Sequence, residues 1–105
     1  MSTNYEKGRS FEYRVKRVLE DAGYYVVRSA SSQGVADLVG VKSVAFPLMV
    51  QCKHNCGLST HDILSMSLLI IEFGIHPVLA HAWTGGPIAW YEFHLDGLKE
   101  MEVLG

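Results

Sequence analysis

The chain has 105 residues, 49% of them apolar, a formal net charge of −2 and two cysteines, Cys52 and Cys56. That suffices for one domain over residues 1–105 with a modest core, and it excludes a disordered chain or a disulfide framework. No stretch is apolar enough to span a membrane and Met1 to Lys7 lacks the apolar centre of a signal peptide, so a reduced, cytoplasmic protein is expected.

From Asn4 to Ala22, Phe11, Val15, Val18, Leu19 and Ala22 recur at helical spacing, and Gly23 stops the helix. Tyr24 to Arg28 reads as a strand, and Ser29 to Gly34 as a small-residue loop. Two strands follow near 36–41 and 46–53, joined by a turn around Lys42-Ser43. A second helix starts at the Ser59-Thr60 cap, runs to Phe73 and ends at Gly74. It is apolar over most of its circumference, which suits a helix covered on two sides. His76 to Trp83 and Ile88 to His94 form a strand pair around Thr84-Gly85-Gly86-Pro87, and a helical turn near Leu98 closes the chain. The expected fold is α/β, a mixed five-stranded sheet flanked by helices in the order α-β-β-β-α-β-β.

The negative net charge argues against a nucleic-acid partner, but the charge is unevenly spread. Residues 1–28 hold six Lys/Arg against four acids, and residues 59–105 one Lys against six acids. Such a distribution presents a basic face to an anion and turns an acidic face away.

Asp37, Gln51 and Lys53 carry the chemistry. Positions i and i+2 of a strand share a face, so Gln51 and Lys53 point the same way beside a partner strand that brings Asp37 close. An acid, an amide and an amine at the mouth of an apolar sheet are costly without a task. Phosphodiester cleavage needs an activated water and charge relief, which a divalent cation supplies from hard oxygen ligands. Asp37, the Gln51 amide oxygen and the Cys52 backbone carbonyl are candidate ligands, Lys53 would orient water or neutralise the scissile phosphate, and Glu12 would add a carboxylate from the first helix.

Lys7-Gly8-Arg9-Ser10-Phe11-Glu12, the loop Ser31-Ser32-Gln33-Gly34, Asp37-Leu38, Gln51-Cys52-Lys53 and Phe73 to Ala80 together resemble the archaeal-type Holliday-junction resolvases of the PD-(D/E)XK nuclease superfamily. The resemblance covers nearly the whole chain. It implies a homodimeric, Mg2+- or Mn2+-dependent endonuclease that nicks opposing strands of a four-way DNA junction. It places Glu12, Asp37 and Gln51 at metal-binding positions, Lys53 at the catalytic lysine, and Ser31 or Ser32 beside the phosphate. Ala36 stands where the superfamily name has proline, and Gln51 where it has an acid. The glutamine removes a negative charge from the metal site, so weaker magnesium binding is expected; related Mrr-type nucleases also carry Q-x-K.

Lys7, Arg9, Arg14 and Arg28 are the candidate phosphate contacts, salt-sensitive and blind to sequence. Trp90-Tyr91 and the apolar second helix read as a contact surface for a second copy, matching the two scissile strands of a junction. A Mrr-like or flap- or duplex-cutting endonuclease, and a DNA-binding module of the same fold with weakened turnover, are the alternatives. Cys52, His54, Cys56 and His61 offer a candidate zinc set, although their spacing matches none of the common patterns.

Overall fold

The computed structural model describes residues 4–28, 36–43, 45 and 47–102, with side chains from Arg9 onward. Helix α1 (Asn4–Asp21) is set by its stripe. Phe11, Val15 and Leu19, four apart, are all buried against the sheet, each worth about 1.5–3 kcal/mol. The helix ends in paired backbone bonds, Gly23 N–H to the Glu20 carbonyl and Tyr24 N–H to the Leu19 carbonyl. That geometry needs the left-handed region, which Gly23 occupies at φ +98°.

Six strands form one sheet in the order β1-β2-β3-β4-β5-β6: β1 (Tyr25–Arg28), β2 (Leu38–Val41), β3 (Leu48–His54), β4 (Val78–Ala82), β5 (Ala89–His94) and β6 (Gly97–Glu100). Neighbours are antiparallel except β3 and β4, which run parallel with Cys52 opposite Ala80. A parallel pair needs a crossover, and α2 (Thr60–Phe73) provides it. The mixed α/β class and the first seven elements match the sequence expectation, with strand ends shifted by one or two residues. The sheet has six strands rather than five: the helical turn expected near Leu98 is β6. His94 pairs with Gly97 across Leu95-Asp96, and Tyr91 with Glu100. The edge of β5 offered open hydrogen-bonding groups, and the short Leu-Asp-Gly turn returned the chain to them.

Alternation along β3 divides the molecule. Val50 and Cys52 pack with the α1 stripe, Leu38, Val78, Ala80 and Ala82. Lys53 reaches the opposite layer, where it meets Asp62 of α2. Helix α2 buries only Met66 fully, while Leu64, Leu68 and Ile71 are 61%, 54% and 67% exposed. The expectation of a helix covered on two sides is thus not met among the described residues. The sheet covers one face, and no other element of the described residues lies over the outer stripe.

Candidate functional site

Asp37 sits one residue before β2, where the ladder with β3 becomes irregular. Leu38 is paired with Val50, yet the Asp37 N–H donates to the Val50 carbonyl at 2.9 Å. Two residues on, the Cys52 N–H donates to Asp37 Oδ2 at 2.8 Å. The carboxylate therefore serves as a ladder acceptor, which fixes its position between the strands. Burial pushes the Asp37 pKa up, and the Asp62 charge adds to this. The Cys52 N–H, Lys53 and Arg28 oppose it without cancelling it.

Glu12, next to Phe11 on α1, faces the same region from the other layer. Its pKa is also raised, by burial first and then by the charge of Asp37, against the pull of Arg28. Arg28 Nε lies 3.3 Å from Glu12 Oε1, so the end of β1 holds the helix acid in place. The fields of both acids converge on Cys52, whose thiol pKa is pushed far up, by burial first and by Asp37 and Glu12 after it. Cys52 is a packing residue with an inert thiol, as its place in the strand alternation implied.

Lys53 Nζ lies 2.8 Å from Asp62 Oδ2. Asp62 is the third residue of α2. Its carboxylate accepts from the Ser59 N–H at 2.9 Å, and its own N–H donates to Ser59 Oγ at 3.1 Å, forming a capping box. Burial tends to raise the Asp62 pKa, but bonds from Lys53 and Ser59 outweigh it and hold the group below the ordinary carboxylate range. Gln51 is half-buried on β3, opposite Leu79, and alternation gives it the side of the strand that Lys53 uses.

The structure thus gathers Glu12, Asp37 and Lys53 around the start of β2, with Gln51 on the adjoining strand. Ser31 and Ser32 lie outside the described residues, as does the side chain of Lys7. Arg9 bonds the Tyr13 hydroxyl at 3.4 Å. Arg14 donates to the Gly86 carbonyl at 3.1 Å, tying α1 to the β4–β5 turn. Arg14 and Arg17 also line a shallow cleft of about 260 Å³ with Ser10 and Tyr13, a basic surface built one helical turn apart.

Sequence reasoning missed two pairings. The sequence points to Arg28 as a phosphate contact and carries no sign of its ion pair with Glu12. Asp62 was passed over, although Ser59-Thr60-His61-Asp62 carries a capping-box signal.

The donors fit a divalent cation. Two half-buried carboxylates whose pKa values burial raises, and an amide oxygen on the next strand, make a hard-oxygen set. Magnesium commonly takes one or two carboxylates and keeps its waters. Among the described residues no three His, Cys, Asp or Glu side chains gather as a cage, and the zinc set is dispersed. Cys52 packs on the core, His54 ends β3 and stacks on Phe11 at 5.0 Å, and Cys56 and His61 are exposed.

Comparison with known proteins places the chain in a family. Residues 3–103 match the model of the archaeal Holliday junction resolvase (Hjc) family. The crossover junction endodeoxyribonuclease Hjc of Methanocaldococcus jannaschii is 36% identical over 87 residues, which is 81% of this chain and 65% of that protein. The chain thus spans just under two thirds of the length of this relative. The structure of Archaeoglobus fulgidus Hjc, a Holliday junction resolvase from an archaeal hyperthermophile, superposes with a TM-score of 0.65 at 23% identity, covering 91% of this chain and 79% of that one. The expected fold class and the expected family are both borne out: the chain belongs to the archaeal Holliday junction resolvase (Hjc) family.

Proposed function

We propose that the protein is a divalent-metal-dependent DNA endonuclease that resolves four-way junctions. The observation that carries this reading is the Asp37 carboxylate, locked by the Cys52 N–H between strands, with Glu12 on one side and Lys53 on the other. The family's relatives named above carry the same activity in their names.

Glu12, Asp37, the Gln51 amide oxygen and the Cys52 backbone carbonyl would hold the cation, Mg2+ or Mn2+. Bound there, it supplies Lewis-acid relief of the charge on the transferring phosphoryl group and a more acidic water. The chain's own residues orient the reaction. Lys53 neutralises a non-bridging phosphate oxygen and aligns the attacking water. Water adds to phosphorus as it gives up a proton, the bond to the leaving oxygen breaks, and that oxygen takes up a proton, so the hydrolysis balances. Arg28 keeps Glu12 from swinging away, because the pair is part-buried. Lys7, Arg9, Arg14 and Arg28, with either Ser31 or Ser32 near the phosphate, form the DNA-facing set in this reading. The Arg14–Arg17 cleft supports it, since paired guanidiniums suit phosphate oxygens.

A second copy of the chain would cover the outer stripe of α2. Leu64, Leu68 and Ile71 form one exposed apolar row, and a hollow of about 650 Å³ lined by Leu58, Ile63, Tyr91 and Leu98 lies beside it. Two sites related by a two-fold axis match two scissile strands.

The test is a labelled four-way junction, a flap and a linear duplex, each incubated with Mg2+ or Mn2+. Symmetric nicks confined to the junction are expected. Cutting of flap or duplex instead indicates a general structure-selective or Mrr-like nuclease, and binding without cutting under either metal indicates a module that has lost turnover.

A further inference from the structure

We propose that Asp62 is a positioning residue for Lys53, fixing the ammonium from the N-terminus of α2. The inference deepens the nuclease reading and rests on it, since Lys53 is the group positioned. A lysine has a four-carbon stem and a compact charge, so a catalytic one must be held from outside itself. Lys53 is held by a carboxylate 2.8 Å away. The same oxygen, Asp62 Oδ2, accepts the Ser59 N–H at 2.9 Å, so the acid cannot follow the lysine if the lysine moves. Ser59 Oγ receives the Asp62 backbone N–H at 3.1 Å, a bond of the helix cap that does not touch the carboxylate.

The pair is also sheltered. The side chains of Lys53 and Asp62 are 20% and 13% exposed, well below a surface ion pair that solvent screens. The ammonium acts on Asp37 as well, lowering the affinity of that acid for a proton. Lys53 therefore sits between an acid of the proposed reacting centre and an acid of the helix cap. Asp62 belongs to the crossover helix that the β3–β4 parallel pair requires, so the crossover itself sets where the lysine ends. Of its two partners, Asp62 serves the lysine and the cap together, and a cap alone would be satisfied by a neutral amide.

That difference gives the test. Asp62→Asn keeps an oxygen for the Ser59 N–H and removes the charge that holds Lys53. Ser59→Ala removes the hydroxyl bond to the Asp62 N–H and leaves the Ser59 N–H to Asp62 bond in place. Full-length wild type, Asp62→Asn, Ser59→Ala and Lys53→Ala are compared on the same labelled junction. Single-turnover rate, junction affinity and thermal midpoint are measured for each. Asp62→Asn is expected to lose about ten- to a hundredfold in rate, the scale of a misplaced catalytic group, with affinity changed by less than about twofold. Ser59→Ala is expected to melt earlier and cleave at the wild-type rate. The proposal is overturned if Asp62→Asn cleaves as fast as wild type, or if Ser59→Ala loses as much rate as Asp62→Asn. A Lys53→Ala protein as active as wild type overturns the nuclease reading itself, and the role of Asp62 falls with it. An inactive Lys53→Ala beside a fully active Asp62→Asn overturns the Asp62 role alone.

Discussion

Replacing Asp37 separates its two duties. Asp37→Ala leaves the Cys52 N–H without the acceptor it has at 2.8 Å. An orphaned, part-buried donor costs about 1–3 kcal/mol. Asp37→Asn keeps an acceptor oxygen and removes only the charge. The charge is itself a burden on folding, because burial and Asp62 raise the Asp37 pKa. A carboxyl with a raised folded-state pKa contributes its stability below the unfolded value near pH 3.9, and that contribution is lost as the pH rises through the folded value. At pH 7, therefore, metal-free Asp37→Asn is expected to be at least as stable as wild type, and Asp37→Ala less stable than Asp37→Asn by about 1–3 kcal/mol. Each kcal/mol moves the midpoint of a domain this size by about 4–8 °C. The advantage of Asp37→Asn over wild type should shrink as the pH falls towards the unfolded value of about 3.9 and vanish below it, where Asp37 is protonated in both the folded and unfolded states. Urea and thermal melts at pH 4 and pH 7, with and without Mg2+ or Mn2+, provide the measurement. Both variants should lose cleavage and any metal-induced rise in midpoint. Equal stability of the Ala and Asn proteins would refute the ladder role, and an Asn protein less stable than wild type at pH 7 would refute the electrostatic argument.

Gln51→Glu restores an acid beside Asp37 and should bind Mg2+ or Mn2+ more tightly by calorimetry; unchanged affinity would mean that Gln51 is not a ligand. Arg14→Ala should weaken junction binding uniformly across sequences and lower the slope of log affinity against log salt by about one, as expected for the loss of one phosphate contact. An unchanged slope assigns Arg14 solely to its bond with the Gly86 carbonyl. Leu68→Glu, in the middle of the exposed α2 row, should convert the proposed dimer to a monomer in analytical ultracentrifugation with little change in monomer fold, since Leu68 is 54% exposed; a wild-type protein that is already monomeric refutes the dimer reading.

The sequence by itself determined the frame. The spacing of Phe11, Val15 and Leu19 decided which side of α1 meets the sheet, because a 3.6-residue period leaves one apolar stripe. Gly23 and Gly74 marked both helix ends, since each lies in the left-handed region, at φ +98° and +68°. The period of two along β3 sent Cys52 and Lys53 to opposite layers. These are local rules, readable from neighbours in the chain. The chain order also carried the family motifs, so Glu12, Asp37, Gln51 and Lys53 could be named as candidates before any coordinate.

Tertiary structure alone decided who meets whom. The pairs Arg28 with Glu12 and Lys53 with Asp62 join separate elements, and a charge pattern along the sequence does not rank such partners. The bond from the Cys52 N–H to Asp37 depends on a departure from regular β2–β3 pairing that no hydrophobic period records. Strand β6 formed because β5 had an open edge, a property of the assembled sheet. The bare outer face of α2 likewise follows from the described residues forming one sheet with no further layer over that helix. Residue types set the available chemistry; the crossover and the irregular β2–β3 pairing at Asp37 brought the acids and the lysine within reach of one another.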